Sequence, residues 1–270
     1  MITCRLKGGL GNLLFQIAAI ETMSIDSGIP STYYNVDSQL KLINDDLNHN
    51  PTLKHANEYL HIFKNFNWVK NSVNSISFNS IKVPFHYTKI QPKINTCYDG
   101  FFQSEKFFKH REKEIRNLFE PSTEIAEYIK SKYSFLFNTD VTSIHVRRGD
   151  YLKLSHIHPV QNMDYFNAGI NLIGNESTFL IFSDDIEWCK ENFKGDNFIF
   201  SNEKDYIELF MMSYCKNNIM TNSSFSWWGS WLNKNPDKKV IAPKTWFLPE
   251  AAQRKGINPI DIIPQTFIKI

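Results

Sequence analysis

A chain of 270 residues that is 42% hydrophobic and 21% charged can bury a core in one large domain or two compact ones, which sets aside disordered and fibrous classes. Its formal charge of +2 sums scattered acidic and basic residues, and without a basic run nucleic acid is a poor partner. No apolar stretch approaches the roughly 20 residues of a membrane span, and residues 1–7 are too polar for a signal peptide. A cytosolic protein with no transmembrane segment is expected, any membrane association running through partners.

The chain opens as strand, glycine turn and helix. Residues 2–6 are short and β-capable, Gly8-Gly9-Leu10-Gly11-Asn12 punctuates, and residues 13–27 carry apolar side chains at helical spacing. Residues 33–36 read as the next strand, and residues 41–93 are polar, Asn-rich and weakly periodic. A strand end at 98–105 leads into a charged helix that runs to about Leu118 and stops before Pro121. Ser122 is placed to cap a following helix that buries Ile125 and Ile129.

Beyond Asn138 the pattern becomes regular. Apolar runs at 141–147, 179–183, 197–200, 219–221 and 239–241 alternate with helical segments, the signature of a parallel sheet. The boundary falls near Asn138, giving domains 1–138 and 139–270. Cys4, Cys97, Cys189 and Cys215 stand far apart, without zinc-ligand or Cys-x-x-Cys spacing, and read as free thiols. The sequons at Asn175 and Asn222 carry weight only in a secreted protein.

Three segments carry chemistry. His145-Val146-Arg147-Arg148-Gly149-Asp150-Tyr151 follows a strand and projects from the carboxyl edge of the sheet, where ligands bind. Paired guanidiniums there suit a diphosphate; a solvated Arg pair bridged to the local Asp is the plain alternative. Thr221-Asn222-Ser223-Ser224-Phe225-Ser226 opens a helix whose free N–H groups and hydroxyls form an anion site, while Trp227, Trp228 and Trp231 read mainly as core. Phe182-Ser183-Asp184-Asp185 ends a strand with two carboxylates, suited either to the donor edge of a guanine base or to capping the next helix. The Gly8–Asn12 turn lacks a P-loop lysine and the dinucleotide spacing, yet its N–H groups can face a ligand.

Together these segments resemble the α-1,2-fucosyltransferase family of bacterial and viral type, similar to glycosyltransferase family 11, whose members carry a GGLGN opening, an HxRRxD motif and an NSSFSWWG segment. All three stand here in order. Residues 99–106, Met163-Asp164-Tyr165-Phe166, residues 182–185 and residues 242–247 extend the likeness along nearly the whole chain. The resemblance implies a GT-B fold, two Rossmann-like α/β domains facing each other across a cleft, with a GDP-sugar on the C-terminal half and a glycan acceptor on the N-terminal half.

Carried onto matching positions, it puts Arg147 on the diphosphate as the principal catalytic group. His145 and Arg148 act in support, and Asp150 lies in the donor pocket or braces its loop. Asn12, in the turn with Gly9 and Gly11, approaches the β-phosphate. Asn222, Ser223, Ser224 and Phe225 line the phosphate and sugar, and Asp184 or Asp185 takes the guanine.

It further implies inverting transfer of L-fucose from GDP-β-L-fucose to a galactose 2-hydroxyl, with no metal or other cofactor and no assigned general base. Leu13-Leu14 departs from the Gln-Met of many members. Two rivals remain: transfer of another nucleotide-activated 6-deoxysugar or hexose, and a non-catalytic glycan-binding protein, which leaves the paired arginines unexplained.

Overall fold

The computed structural model describes residues 1–34, 59, 62, 68–69 and 79–270. The chain divides into two compact units, Met1–Glu120 with Ile257–Ile262, and Pro121–Gly256 with Ile263–Ile270. That division precedes the Asn138 boundary read from the sequence.

In the first unit, β1 (Ile2–Cys4) leads through the glycine turn into α1 (Leu10–Ser27). The helix begins three residues earlier than its apolar spacing suggested, because extended Gly9 is the N-cap and its carbonyl receives both the Asn12 and Leu13 N–H groups. Phe15, Ile17, Ala18, Ala19 and Ile20 are fully buried, so α1 is a core helix. Gly28, at φ 70°, closes it with an N–H to Ser24, the left-handed ending that favours glycine. β2 (Tyr33–Tyr34) pairs in parallel with β3 (Trp68–Val69); Val36, expected in the same strand as Tyr33, lies outside the described residues.

β4 (Asn79–Lys82) and β5 (Thr96–Asp99) complete a parallel sheet ordered β1-β5-β4. β4 is exposed along its length and offers no alternation to read. The charged helix expected after β5 is broken into two 3-10 turns, Glu105–Phe107 and Lys109–Arg111, ahead of α2 (Glu112–Leu118). Phe108, fully buried with φ −141° and ψ 0°, interrupts it. Asp261 holds residues 257–262 to this unit by accepting the Tyr87 N–H at 3.0 Å and pairing with Lys106.

The second unit opens with α3 (Thr123–Lys132), capped by the Ser122 hydroxyl with Ile125 and Ile129 buried, as its sequence indicates. After α4 (Phe135–Asn138) come β6 (Val141–Val146), α5 (Gly149–Lys153), α6 (Met163–Ile173), β7 (Thr178–Ser183), α7 (Ile186–Asn192) and β8 (Phe198–Phe200). Then follow α8 (Asp205–Tyr214), β9 (Asn217–Ile219), α9 (Ser224–Leu232), β10 (Val240–Ala242), α10 (Pro249–Lys255) and β11 (Ile268–Lys269). α3 and α4 both contact α8, which is why they belong to this unit although they lie within residues 1–138.

All pairings in the six-stranded sheet are parallel, in the order β11-β10-β9-β6-β7-β8. β6 is buried at every position, as expected of a central strand covered on both faces. Ile144, Val146, Phe166, Phe179, Ile181, Ile219 and Ile241 share one core, each such side chain stabilising the fold by roughly 1.5–3 kcal/mol when removed from water. Counted by appearance the strands run 3-2-1-4-5-6, with the reversal between β6 and β9. In doubly wound sheets that switch point, outside the carboxyl ends of the strands, is where ligands bind.

Candidate active site

The loops leaving β6 and β9 at the switch point both carry anion-seeking groups. Arg147 follows β6 and meets two carboxylates, Asp150 Oδ1 at 2.7 Å and Asp184 Oδ2 at 3.1 Å. Neither contact aligns an N–H on the oxygen, and Asp150 Oδ1 is buried without a hydrogen bond. Both terminal nitrogens of the fork are nonetheless ion-paired, which fixes the guanidinium at the carboxyl end of β6. The guanidinium carbon also lies 5.5 Å from the Tyr151 ring centroid, within cation–π range.

Arg148 is committed differently. Its Nε donates to Asp185 Oδ2 at 3.0 Å, its backbone N–H donates to Asp184 Oδ1 at 2.9 Å, and its guanidinium lies 4.1 Å from the Trp188 ring. Gly149 makes this approach feasible, since a Cβ there would stand 2.6 Å from Asp184 Oδ2. Asp184 and Asp185, expected as guanine acceptors, therefore face the arginines. Asp185 also caps α7 through the Trp188 N–H at 3.4 Å, the alternative role its sequence position allowed.

His145 points inward. It is 5% exposed, its Nδ1 lies 3.1 Å from the Thr221 hydroxyl, and its ring packs 5.3 Å from Phe225. Burial, reinforced by the Arg147 charge, pushes its pKa down to about 3, so it is a neutral brace between β6 and the β9 loop.

Asn222 is equally spent on architecture: its Nδ2 donates to the Trp246 carbonyl at 3.1 Å, and its Oδ1 accepts from Gln161 at 3.3 Å. Its own carbonyl accepts the Tyr151 hydroxyl at 2.9 Å, tying the β6 loop to the β9 loop.

Ser223 is the N-cap of α9 but its hydroxyl makes no capping bond, and Ser224 and Phe225 are half-exposed. The Trp227 N–H is the first to bond back, to the Ser223 carbonyl at 3.0 Å. The preceding N–H groups of the helix have no intrahelical acceptor, so an anion there gains both donors and the helix dipole. Trp227, Trp228 and Trp231 are at most 2% exposed and stack edge-on and face-on among themselves, the core role read from the sequence.

In the first unit the glycine turn is fixed from within. Fully buried Gln16 accepts the Lys7 N–H at 2.9 Å and donates to the Lys7 carbonyl at 2.8 Å. Gly8, at φ 82°, sits against the Asn12 side chain, in a backbone region that L side chains rarely adopt. Asn12 is partly exposed on the first turn of α1, and Gly9 and Gly11 complete that turn.

Three residues that received no role from the sequence stand out. Tyr151 contacts Arg147 and Asn222 and stacks 4.4 Å from His158. His158, also 5.0 Å from Phe247, has its Nδ1 buried without a partner, and burial pushes its pKa down to about 4. Glu208 on α8 is pushed up to about 8, chiefly by burial. Tyr151 lay inside a quoted motif, whereas nothing local to Glu208 announces its burial.

Among the described residues no group of three His, Cys, Asp or Glu is arranged to hold a metal ion, and no helix is long and apolar enough to cross a membrane. The four cysteines are free thiols, three of them buried.

A parallel sheet in Rossmann order, with arginines and a helix start at its switch point, defines a class: the α/β proteins whose ligands lie beyond the carboxyl ends of their strands. Within that class the sequence is specific, because residues 1–258 match the family described as glycosyl transferase family 11. The chain belongs to glycosyltransferase family 11 and is a glycosyltransferase.

It is 31% identical over 304 residues to an alpha-1,2-colitosyltransferase of Escherichia coli, covering 100% of this chain and 99% of that one. It is 30% identical over 292 residues to the O-antigen biosynthesis glycosyltransferase WbnK of the same organism, covering 92% and 95%. To the human galactoside alpha-(1,2)-fucosyltransferase 1 it is 28% identical over 198 residues, covering 59% and 52%. Its fold is similar to that of the fucosyltransferase NodZ from Bradyrhizobium, with a TM-score of 0.54 at 13% identity over 84% of this chain and 91% of that one. That likeness bears on fold alone.

Proposed function

We propose that the chain transfers L-fucose from GDP-β-L-fucose to the 2-hydroxyl of a galactose in a glycan acceptor, with inversion at the anomeric carbon and without a metal. In this reading the architecture is GT-B, the second unit holds the nucleotide and the first serves the acceptor side. The observation that carries it is the Arg147 guanidinium, held in ion pairs by Asp150 and Asp184 beyond the carboxyl end of β6, on a loop tied through Tyr151 to the start of α9.

The acceptor oxygen forms a bond to the anomeric carbon as the bond to the β-phosphate oxygen breaks, and the hydroxyl proton is lost late to a weak acceptor, water or the departing diphosphate. Negative charge grows on the leaving diphosphate through an oxocarbenium-like transition state. Arg147, the α9 N–H groups and the Ser223 and Ser224 hydroxyls answer that charge from fixed positions, the arrangement in which electrostatic donors contribute most. Asp150 serves by holding Arg147. His145, buried and neutral, steadies the β9 loop, and no side chain is assigned as the base.

The test is incubation with GDP-fucose and β-galactosides, followed by NMR assignment of the product linkage. An α-1,2-fucosylated product that forms undiminished in EDTA supports the reading; absence of transfer from GDP-fucose, or restoration by Mn²⁺ after EDTA, overturns it. A second reading, transfer of a colitosyl group, is favoured by the E. coli relative that matches end to end, and a donor panel separates the two.

A further inference from the structure

The first unit carries a second polar focus, where the loops after β1 and β5 meet the start of α1. Gln103 is 7% exposed, its Nε2 donates to Asn12 Oδ1 at 2.5 Å, and its Oε1 is buried with no hydrogen-bond partner. A buried amide oxygen left unpaired costs stability that folding alone does not repay. Exchanging oxygen and nitrogen in both amides keeps the Gln103–Asn12 bond and leaves the Gln103 nitrogen unpaired instead, so one orphan atom remains in either orientation.

The surrounding chain holds Gln103 in place. Phe102, fully buried, adopts φ 53°, a conformation that a side-chain-bearing residue keeps only when its surroundings impose it. On the same two loops Lys7 pairs with Asp99 at 2.6 Å and lies 4.7 Å from the Phe101 ring centroid. Lys7 and Asp99 are thus matched to each other, whereas the Gln103 amide keeps one buried atom without a counterpart.

We propose that the unpaired amide atom of Gln103 binds a sugar hydroxyl, which makes Gln103 a specificity-determining residue of the first unit. A hydroxyl both donates and accepts, so it satisfies either orientation of the amide, whereas a phosphate oxygen satisfies only the nitrogen. The inference rests on the glycosyl-transfer reading above and deepens it. The hydroxyl belongs to the transferred sugar or to the acceptor glycan, and kinetics distinguish the two.

The experiment compares wild type with Gln103→Met, which keeps the length of the side chain and removes its hydrogen bonds. KM for donor and for acceptor, affinity for GDP and Tm are measured for each. A donor hydroxyl raises the donor KM and leaves GDP affinity unchanged; an acceptor hydroxyl raises the acceptor KM alone. In either case kcat/KM falls about five- to tenfold.

Wild type assayed with singly deoxygenated donors and acceptors, the reacting hydroxyl excepted, gives a measure independent of any variant. One deoxy compound should lose a similar factor, and Gln103→Met should be indifferent to that deletion. Unchanged kinetics in the variant, a loss of GDP affinity together with Tm, or a wild type blind to every deoxygenation overturns the subsite. If wild type uses another nucleotide sugar instead of GDP-fucose, the proposed donor fails, and the same comparison with that sugar still decides on Gln103.

Discussion

Arg147 is the residue on which the chemistry turns, and its neighbours set how a variant should be read. Arg147→Ala removes the proposed counter-charge for the leaving group and is expected to lower kcat by roughly a hundred- to a thousandfold, about 2.7–4 kcal/mol of transition-state stabilisation. Arg147→Lys keeps the charge that Asp150 and Asp184 face but not the planar fork, so it should recover stability and little of the rate. Steady-state kinetics alongside thermal melts separate the two effects. Gly149→Ala acts on the same cluster from the other side. Its Cβ would displace Asp184 from both arginines, and a drop in Tm together with loss of activity is the expected result.

At the scale of elements, what matters is how the β6 and β9 loops are joined. Tyr151→Phe deletes one hydrogen bond, to the Asn222 carbonyl, at a stability cost of about 0.5–1.5 kcal/mol. Because the ring remains against Arg147 and His158, the effect should appear as faster amide exchange in residues 221–224 with global stability nearly kept. This linkage also explains what could be read from the sequence.

Asp150, three residues from Arg147, was visible as a partner in the motif itself. Asp184 was not, since it reaches Arg147 only because β6 and β7 pair with Val146 opposite Ser183, and strand register is set by the sheet rather than by either strand. Strands β6, β7, β8 and β10 were legible as apolar runs, whereas β9 (Asn217–Ile219) begins two residues before the run read at 219–221, its buried Asn217 and Asn218 giving no apolar signal. β4 and β11, exposed along their length, had no pattern to betray them, and the break at Phe108 depends on a core that the charged segment does not itself encode.

For the molecule as a whole, burial of titratable groups shapes stability against pH. His145, with a folded pKa near 3 against about 6.5 in the unfolded chain, binds its proton more readily when unfolded. Its contribution is complete above pH 6.5 and is lost as pH falls toward 3. His158, near 4, adds to the same acid limb.

Glu208 has the opposite sign. Raised from 4.5 to about 8, it stabilises below pH 4.5, and that contribution is lost as pH rises through 8. Glu208→Gln should therefore raise Tm at pH 9 relative to wild type by more than it does at pH 5, and His145→Asn should flatten the acid limb between pH 6.5 and 3. Chemical denaturation across pH measures both slopes, and a Glu208→Gln curve parallel to wild type would refute the first.

The glutamine that grips the Lys7 peptide from inside α1 carries a consequence for how the first unit moves. Glycine-rich loops ordinarily open on their own, yet here both polar groups of one residue in the turn are anchored to a fully covered side chain four helical positions beyond Asn12. The Lys7 amide should consequently trade its hydrogen for deuterium only when the helix itself comes apart, at the slow pace of Ile17 and Ala18 rather than that of a surface bend. Motion of this rim and unfolding of the first unit would then be one event.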